Sequence, residues 1–214
     1  MKKQQSGFTL VEIAIVMVII GLLLGGVLKG QEVITNARIK NINNDYNGIS
    51  AAVYSYQDRY RALPGDDAAA DAHVGGTLGP GTIGNGIIEG TFNDATCTNP
   101  VAAGDPEPCL VWEHLRSSGL VSGVAASGIQ PTNALGGLIG LETGDGVAAN
   151  DNSISKLFIG FAGITGDMAV ILDEQNDDGN PNLGSIRAVD ATGDTIPAAG
   201  NYIHTATYGL GFEM

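Results

Sequence analysis

The first pattern along the chain is a long apolar run. Residues 8–28, FTLVEIAIVMVIIGLLLGGVL, hold one ionisable side chain, Glu12. At 1.5 Å per residue a helix of this run reaches about 31 Å, the thickness of a bilayer's hydrocarbon core. It is longer than the apolar region of a cleaved secretory signal and lacks the small-x-small cleavage site that would follow one. The run therefore predicts a membrane-spanning helix. Beyond it, Ile39, Ile42, Tyr46, Ile49, Val53, Tyr56 and Tyr60 recur three and four residues apart, and Lys40, Asn43, Asn44, Asn47, Asp58 and Arg59 fall on the opposite side. That is helical periodicity. The stripe is expected to pack on the chain's own sheet, with a coiled coil as the alternative. Leu63-Pro64-Gly65-Asp66-Asp67 ends the helix, because proline and glycine both oppose its continuation. One helix from Phe8 to Arg61 would be about 80 Å long.

Later elements are shorter. Residues 64–109, rich in Gly, Asp, Thr and Pro, read as irregular loop. Val111–Arg116 reads as a short helix near Gly119, with Leu110, Val111, Trp112, Leu115 and Leu120 available for an apolar side. Trp112 is expected in the core, and His114 at the surface or a helix end. LFIGF at 157–161, MAVIL at 168–172 and SIRAV at 185–189 are short apolar runs bounded by Gly, Asp and Asn, which predicts strands. Tyr202–Phe212 adds a fourth. Such short spacings favour antiparallel pairing. The fold class expected is α+β: a long N-terminal helix packed on a small antiparallel β-sheet within a loop-rich head.

Charge changes the picture. The 214 residues carry a formal charge of −13 with 15% charged residues, against about 25% in a typical soluble domain. Only Glu12 and Glu32 precede position 41, against Lys2, Lys3, Lys29, Arg38 and Lys40, so residues 41–214 hold 21 acids and 5 bases. An acidic head argues against nucleic acid, whose phosphates require clustered Lys and Arg, and suits divalent cations. The densest cluster is Asp173-Glu174-Gln175-Asn176-Asp177-Asp178-Gly179-Asn180. Asp173, Glu174, Asn176, Asp177 and Asp178 are candidate Ca²⁺ ligands, since that ion takes six to eight oxygens. An acidic turn at Asp178-Gly179 is the competing explanation. The spacing is not that of an EF-hand, because Ser185 falls where the closing Glu belongs. The flanking lysines and arginines do not fix membrane orientation.

Cys97 and Cys109 have no CxxC or paired histidines beside them. The turn-rich TNPVAAGDPEP between them can bring the two together, so an oxidising compartment predicts a disulfide worth about 3 kcal/mol. Two reduced thiols are expected only in the cytosol. Motifs of catalysis are missing: no GxSxG, HExxH or GxxxxGK[ST] occurs, Gly84-x-Gly86 lies in a loop, and His73 and His204 have no nucleophile motif nearby. No enzyme is expected, and no cofactor is required.

Glu12 remains. A carboxylate at the centre of a spanning helix costs about 2.5–3.5 kcal/mol, less near an interface, and such groups usually have a partner. No Lys or Arg lies within the run. Either Glu12 snorkels or takes up a proton, or a cation arrives from elsewhere; a cut after Gly7 would make the Phe8 amine that cation. Gly21 with Gly25, and Gly26 with Gly30, have small-xxx-small spacing, and the helix is expected to be softest at Gly25 and Gly26.

Residues 6–12, SGFTLVE, behind a short basic leader and before an unbroken apolar helix, resemble the prepilin cleavage and methylation motif of type IV pilins and type II secretion pseudopilins. The resemblance implies that a prepilin peptidase cuts between Gly7 and Phe8, that Phe8 is N-methylated, and that Glu12 neutralises the amino terminus of an adjacent subunit. It implies four regions: leader 1–7, transmembrane and assembly helix 8–28, amphipathic continuation 29–62, and a periplasmic or extracellular head 63–214. It also implies an inner-membrane precursor, an assembly platform in that membrane, other pilin-like subunits as partners, and a periplasmic pseudopilus or surface pilus as destination. Some pseudopilins bind calcium in a C-terminal loop. Two departures stand out: Lys29 replaces the proline many pilins carry past the anchor, and Cys97–Cys109 lies centrally, whereas major pilins close a disulfide loop near the C-terminus. A pilin-like or minor-pilin subunit is thus favoured, with a type II secretion pseudopilin as alternative. From a different class, a signal-anchored periplasmic calcium-binding or enzymatic module would keep its leader and stay monomeric.

Overall fold

In a computed structural model, residues 9–94, 96–144, 154–189 and 200–214 are described. Helix α1 runs Leu10–Tyr60 and passes through Gly25 and Gly26 without interruption. The chain divides into two units, Met1–Arg38 and Ile39–Met214. The first contributes helix whose apolar side chains, from Leu10 through Leu28, are exposed. This helix is long and apolar enough to cross a membrane.

The second unit begins inside α1, where the sequence turns two-sided. Ile39, Ile42, Ile49, Val53 and Tyr56 are buried, and Tyr46 and Tyr60 are packed at the margin. The stripe therefore meets its own domain. Helices α2 (Ala70–Val74) and α3 (Glu107–Ser117) follow, then strands β1 (Ile139–Thr143) and β2 (Leu157–Thr165), helix α4 (Gly166–Asn176), and strands β3 (Ile186–Val189) and β4 (Thr207–Glu213). The described strands form one antiparallel sheet in the order β1-β2-β4-β3.

Alternation along β2 distributes two cores. Ile159 and Phe161 join the cluster containing Tyr56, Trp112, Leu210 and Phe212, whereas Phe158 joins Phe92, Ile154 and Val189, as a period of two demands. Between them, Gly140, Gly160 and Gly211 lie opposite one another across three strands. A Cβ on Gly160 would sit 2.2 Å from the Phe92 ring. The missing side chains of Gly140 and Gly160 leave the place that Phe92 fills, while that of Gly211 leaves room for Val189, Ile154 and Phe158.

Several expectations change. MAVIL at 168–172 is helix, not strand: it lies within α4, which starts directly after β2, and Met168, Ala169 and Leu172 turn to the core. An apolar run of five cannot separate the two states by period. Strand β1 was not expected at all. The last strand starts only at Thr207, and residues 64–109 contain α2 and the first turn of α3. Helix α3 extends Val111–Arg116 in both directions, with Pro108 in its first turn, where a missing N–H costs nothing. Trp112 is fully buried, as expected; His114 lies in the last turn of α3, the helix end expected, but is buried rather than at the surface.

Candidate functional site

The N-terminal segment carries the strongest sequence signal. Gly7 and Phe8 lie outside the described residues, so the cleavage point and the Phe8–Glu12 pair are not seen. Glu12 itself accepts hydrogen bonds at Oε2 from the Thr9 backbone N–H (2.8 Å) and hydroxyl (2.7 Å), while Thr9 Oγ1 accepts from the Glu12 N–H at 3.3 Å. This reciprocal pair is a capping box, which satisfies two backbone donors at a helix start. The Thr-x-x-Glu spacing signals it, and sequence reasoning missed it by treating Glu12 only as a charge. Around Gly21, Gly25, Gly26 and Gly30 an added Cβ would meet nothing within 4 Å. Those positions present bare backbone along an exposed apolar helix.

Cys97 and Cys109 form a disulfide with Cα atoms 5.3 Å apart. It ties the 97–109 loop to the start of α3, and Cys109 is wholly buried there.

The acidic segment is the end of α4 and the turn after it, not a loop following a strand. Of the five candidate ligands, Asp173, Asp177 and Asp178 bring carboxylate oxygens within 4.8 Å of one another. Asn176 instead donates to Leu172 O (2.7 Å) and Asn43 Oδ1 (3.2 Å), and the stem of Glu174 lies beside Gly179. The three clustered carboxylates already organise backbone. Asp173 accepts from the Tyr202 hydroxyl at 2.7 Å and the Gly179 N–H at 3.1 Å. Asp177 Oδ2 accepts from Ser185 N–H at 2.5 Å and Ile186 N–H at 2.9 Å, and Asp178 Oδ1 from Asn180 N–H at 2.8 Å. Burial, reinforced by the Asp177 and Asp178 charges, pushes Asp173 up to about 6 against those bonds. The cluster closes α4 and leads the chain into β3.

A second polar group lies under the 63–90 segment, and sequence reasoning missed it because its partners are far apart in the chain. Asp66 and Asp67 are each 2% exposed. Asp66 accepts backbone N–H bonds from Gly84 and from Gly86 (2.6 Å). Asp67 accepts from the Tyr56 hydroxyl at 2.8 Å, His73 Nδ1 at 2.7 Å and Ala69 N–H at 2.9 Å. Burial opposes its charge, but those bonds outweigh it and hold the carboxyl below its usual range. Glu107, at the start of α3, accepts from Glu89 N–H at 2.8 Å through Oε2, while its Oε1 is buried without a hydrogen bond. Burial, with the Asp66 and Glu89 charges, pushes it up to about 7. Asp66 and Asp67 are held by structural bonds, and Glu107 by one of its two oxygens.

Residues 2–28 match the family model described as the prokaryotic N-terminal methylation motif, the hallmark of type IV pilins and pseudopilins. The match covers the leader and the apolar helix, and no curated protein matches the chain.

Proposed function

We propose that this chain is the precursor of a structural, non-enzymatic subunit of a type IV pilus-like filament, with a type II secretion pseudopilus as the alternative assembly. The methylation motif over residues 2–28 carries this reading. It is supported by an apolar helix with one carboxylate near its start and by a head with helix-on-sheet packing. The precursor sits in the inner membrane with residues 63–214 on the periplasmic side, where the Cys97–Cys109 disulfide is at home. Prepilin peptidase cuts after Gly7, and Phe8 becomes the methylated amino terminus.

Before assembly, Thr9 satisfies Glu12 through the capping box. In the fibre, Glu12 compensates the new terminus of a neighbouring subunit, and the exposed apolar surface of α1 packs against other helices on leaving the lipid. The assembly platform extracts the processed subunit. Mass spectrometry of protein from its native host tests the first step: the mature chain should begin at Phe8 and be one methyl group heavier than its sequence. A chain beginning at Met1 overturns the reading. Glu12→Ala should insert normally and enter fibres poorly; incorporation equal to wild type would disprove the charge pairing.

A further inference from the structure

His114 occupies a place that requires one protonation state. It is fully buried on α3, and both ring nitrogens are engaged: Nδ1 accepts the Gly65 N–H at 2.9 Å, and Nε2 lies 2.9 Å from Thr77 O. An N–H can only donate and a carbonyl can only accept, so the ring is neutral with its proton on Nε2. One imidazole thus holds both ends of the Gly65–Thr77 segment, which includes α2. The seat is tight. A Cβ on Gly65 would lie 2.7 Å from Val111 Cγ2, and one on Gly76 would lie 2.8 Å from His114 Cδ2. The segment cannot slide to find a different acceptor.

The groups facing the ring come from each element around it. Tyr56 of α1 stacks on it with centroids 6.1 Å apart. Asp67 lies in the turn after α1 and engages His73 of α2. Glu113 of α3 accepts the Thr77 N–H and hydroxyl, both at 3.0 Å. The Asp67 and Glu113 charges favour an imidazolium, but burial opposes it more strongly and lowers the His114 pKa.

We propose that His114 is an acid-operated fastener of the Gly65–Thr77 segment: a proton taken from solvent onto Nδ1 replaces the acceptor of the Gly65 N–H with a second donor and releases the segment from α3. The sign follows from linkage. A neutral buried histidine supports the closed form above its ordinary pKa, and that support is lost as pH falls through and below it. Nothing in this inference depends on filament assembly.

Hydrogen exchange on the full chain in detergent micelles, between pH 8 and pH 5 and corrected for intrinsic rates, tests it. Opening of the Gly65–Thr77 amides should increase as pH falls below about 6.5, by at most about tenfold per pH unit, while β2 and β4 amides stay level. His114→Asn, which keeps an acceptor but cannot take the proton, should flatten the dependence; His73→Gln should preserve it. A flat wild-type profile overturns the proposal, as does a dependence that survives His114→Asn or disappears in His73→Gln. Should His114→Asn fail to fold, ring ¹⁵N shifts of the wild type decide: a neutral Nε2–H ring that titrates together with the Gly65 amide supports the fastener, and an Nδ1–H ring or independent titration refutes it.

Discussion

Tyr56→Phe removes a single oxygen from the interior and isolates what the Asp67 cluster contributes. The ring, fully buried, keeps its contacts with Tyr60 at 4.6 Å and His114 at 6.1 Å between centroids. What disappears is the 2.8 Å bond to Asp67 Oδ2. A hydrogen bond to a charged group contributes about 1.5–3 kcal/mol. Two other donors, Ala69 N–H and His73 Nδ1, remain on the carboxylate, which places the expected loss near the lower end, about 1.5–2 kcal/mol. Urea unfolding of the full chain in micelles, followed by fluorescence of the sole tryptophan, Trp112, reads it directly. With a slope of about 2 kcal/mol/M, the midpoint should fall by about 0.8–1 M at pH 7 with the slope unchanged. Because Asp67 is held below its usual range, its charge supports the fold above its unfolded pKa, and that support is lost as pH falls through the folded value. The difference between variant and wild type should therefore narrow as pH falls below the ordinary aspartate range. A midpoint within about 0.2 M of wild type at pH 7 would show that the hydroxyl is not engaged as described.

Glu107 gives the opposite pH dependence: its pKa rises on folding to about 7, so its contribution is present below its unfolded pKa and is lost as pH rises through 7. Glu107→Gln should match wild type near pH 4.5 and be the more stable protein at pH 8, as judged by urea midpoints; equal midpoints at both values would refute the burial argument. Gly160→Ala forces a methyl into the Phe92 ring and should cost about 1–3 kcal/mol as overpacking, with Phe92→Leu in the same chain recovering part of the loss in a thermal melt. Reduction of Cys97–Cys109 should lower stability by about 3 kcal/mol by the loop-entropy estimate, visible as an earlier urea transition in dithiothreitol than in buffer.

The long helix was legible because its signal is periodic over many turns: one apolar block, then a stripe from Ile39 to Tyr60 that the structure buries as a stripe. The sheet was legible where strands were apolar and bounded by turn residues, at Leu157 and Ile186. It failed at two places for local reasons. Met168–Leu172 mixes helix formers with β-branched residues, so a five-residue apolar run left its state open, and the structure makes it part of α4. In β1, Gly140 suppresses the strand pattern because Phe92 O occupies the place of its side chain, a contact no local window can contain. The candidate site divides in the same way. SGFTLVE is contiguous and was readable; the bond from Gly65, beside Asp66 and Asp67, to His114 joins residues 49 positions apart, and its ends were read merely as a helix stop and a surface or helix-end histidine.

The strand order β1-β2-β4-β3 dictates when, as the chain emerges, the head can close. β4, the last of the four to be synthesised, lies between β2 and β3, so among the described strands β3 has no neighbour in the sheet until residues 207–213 are made. The head can close only once that last segment is in place, and a chain stopped short of Thr207 would leave β3 and one edge of β2 as open ladders.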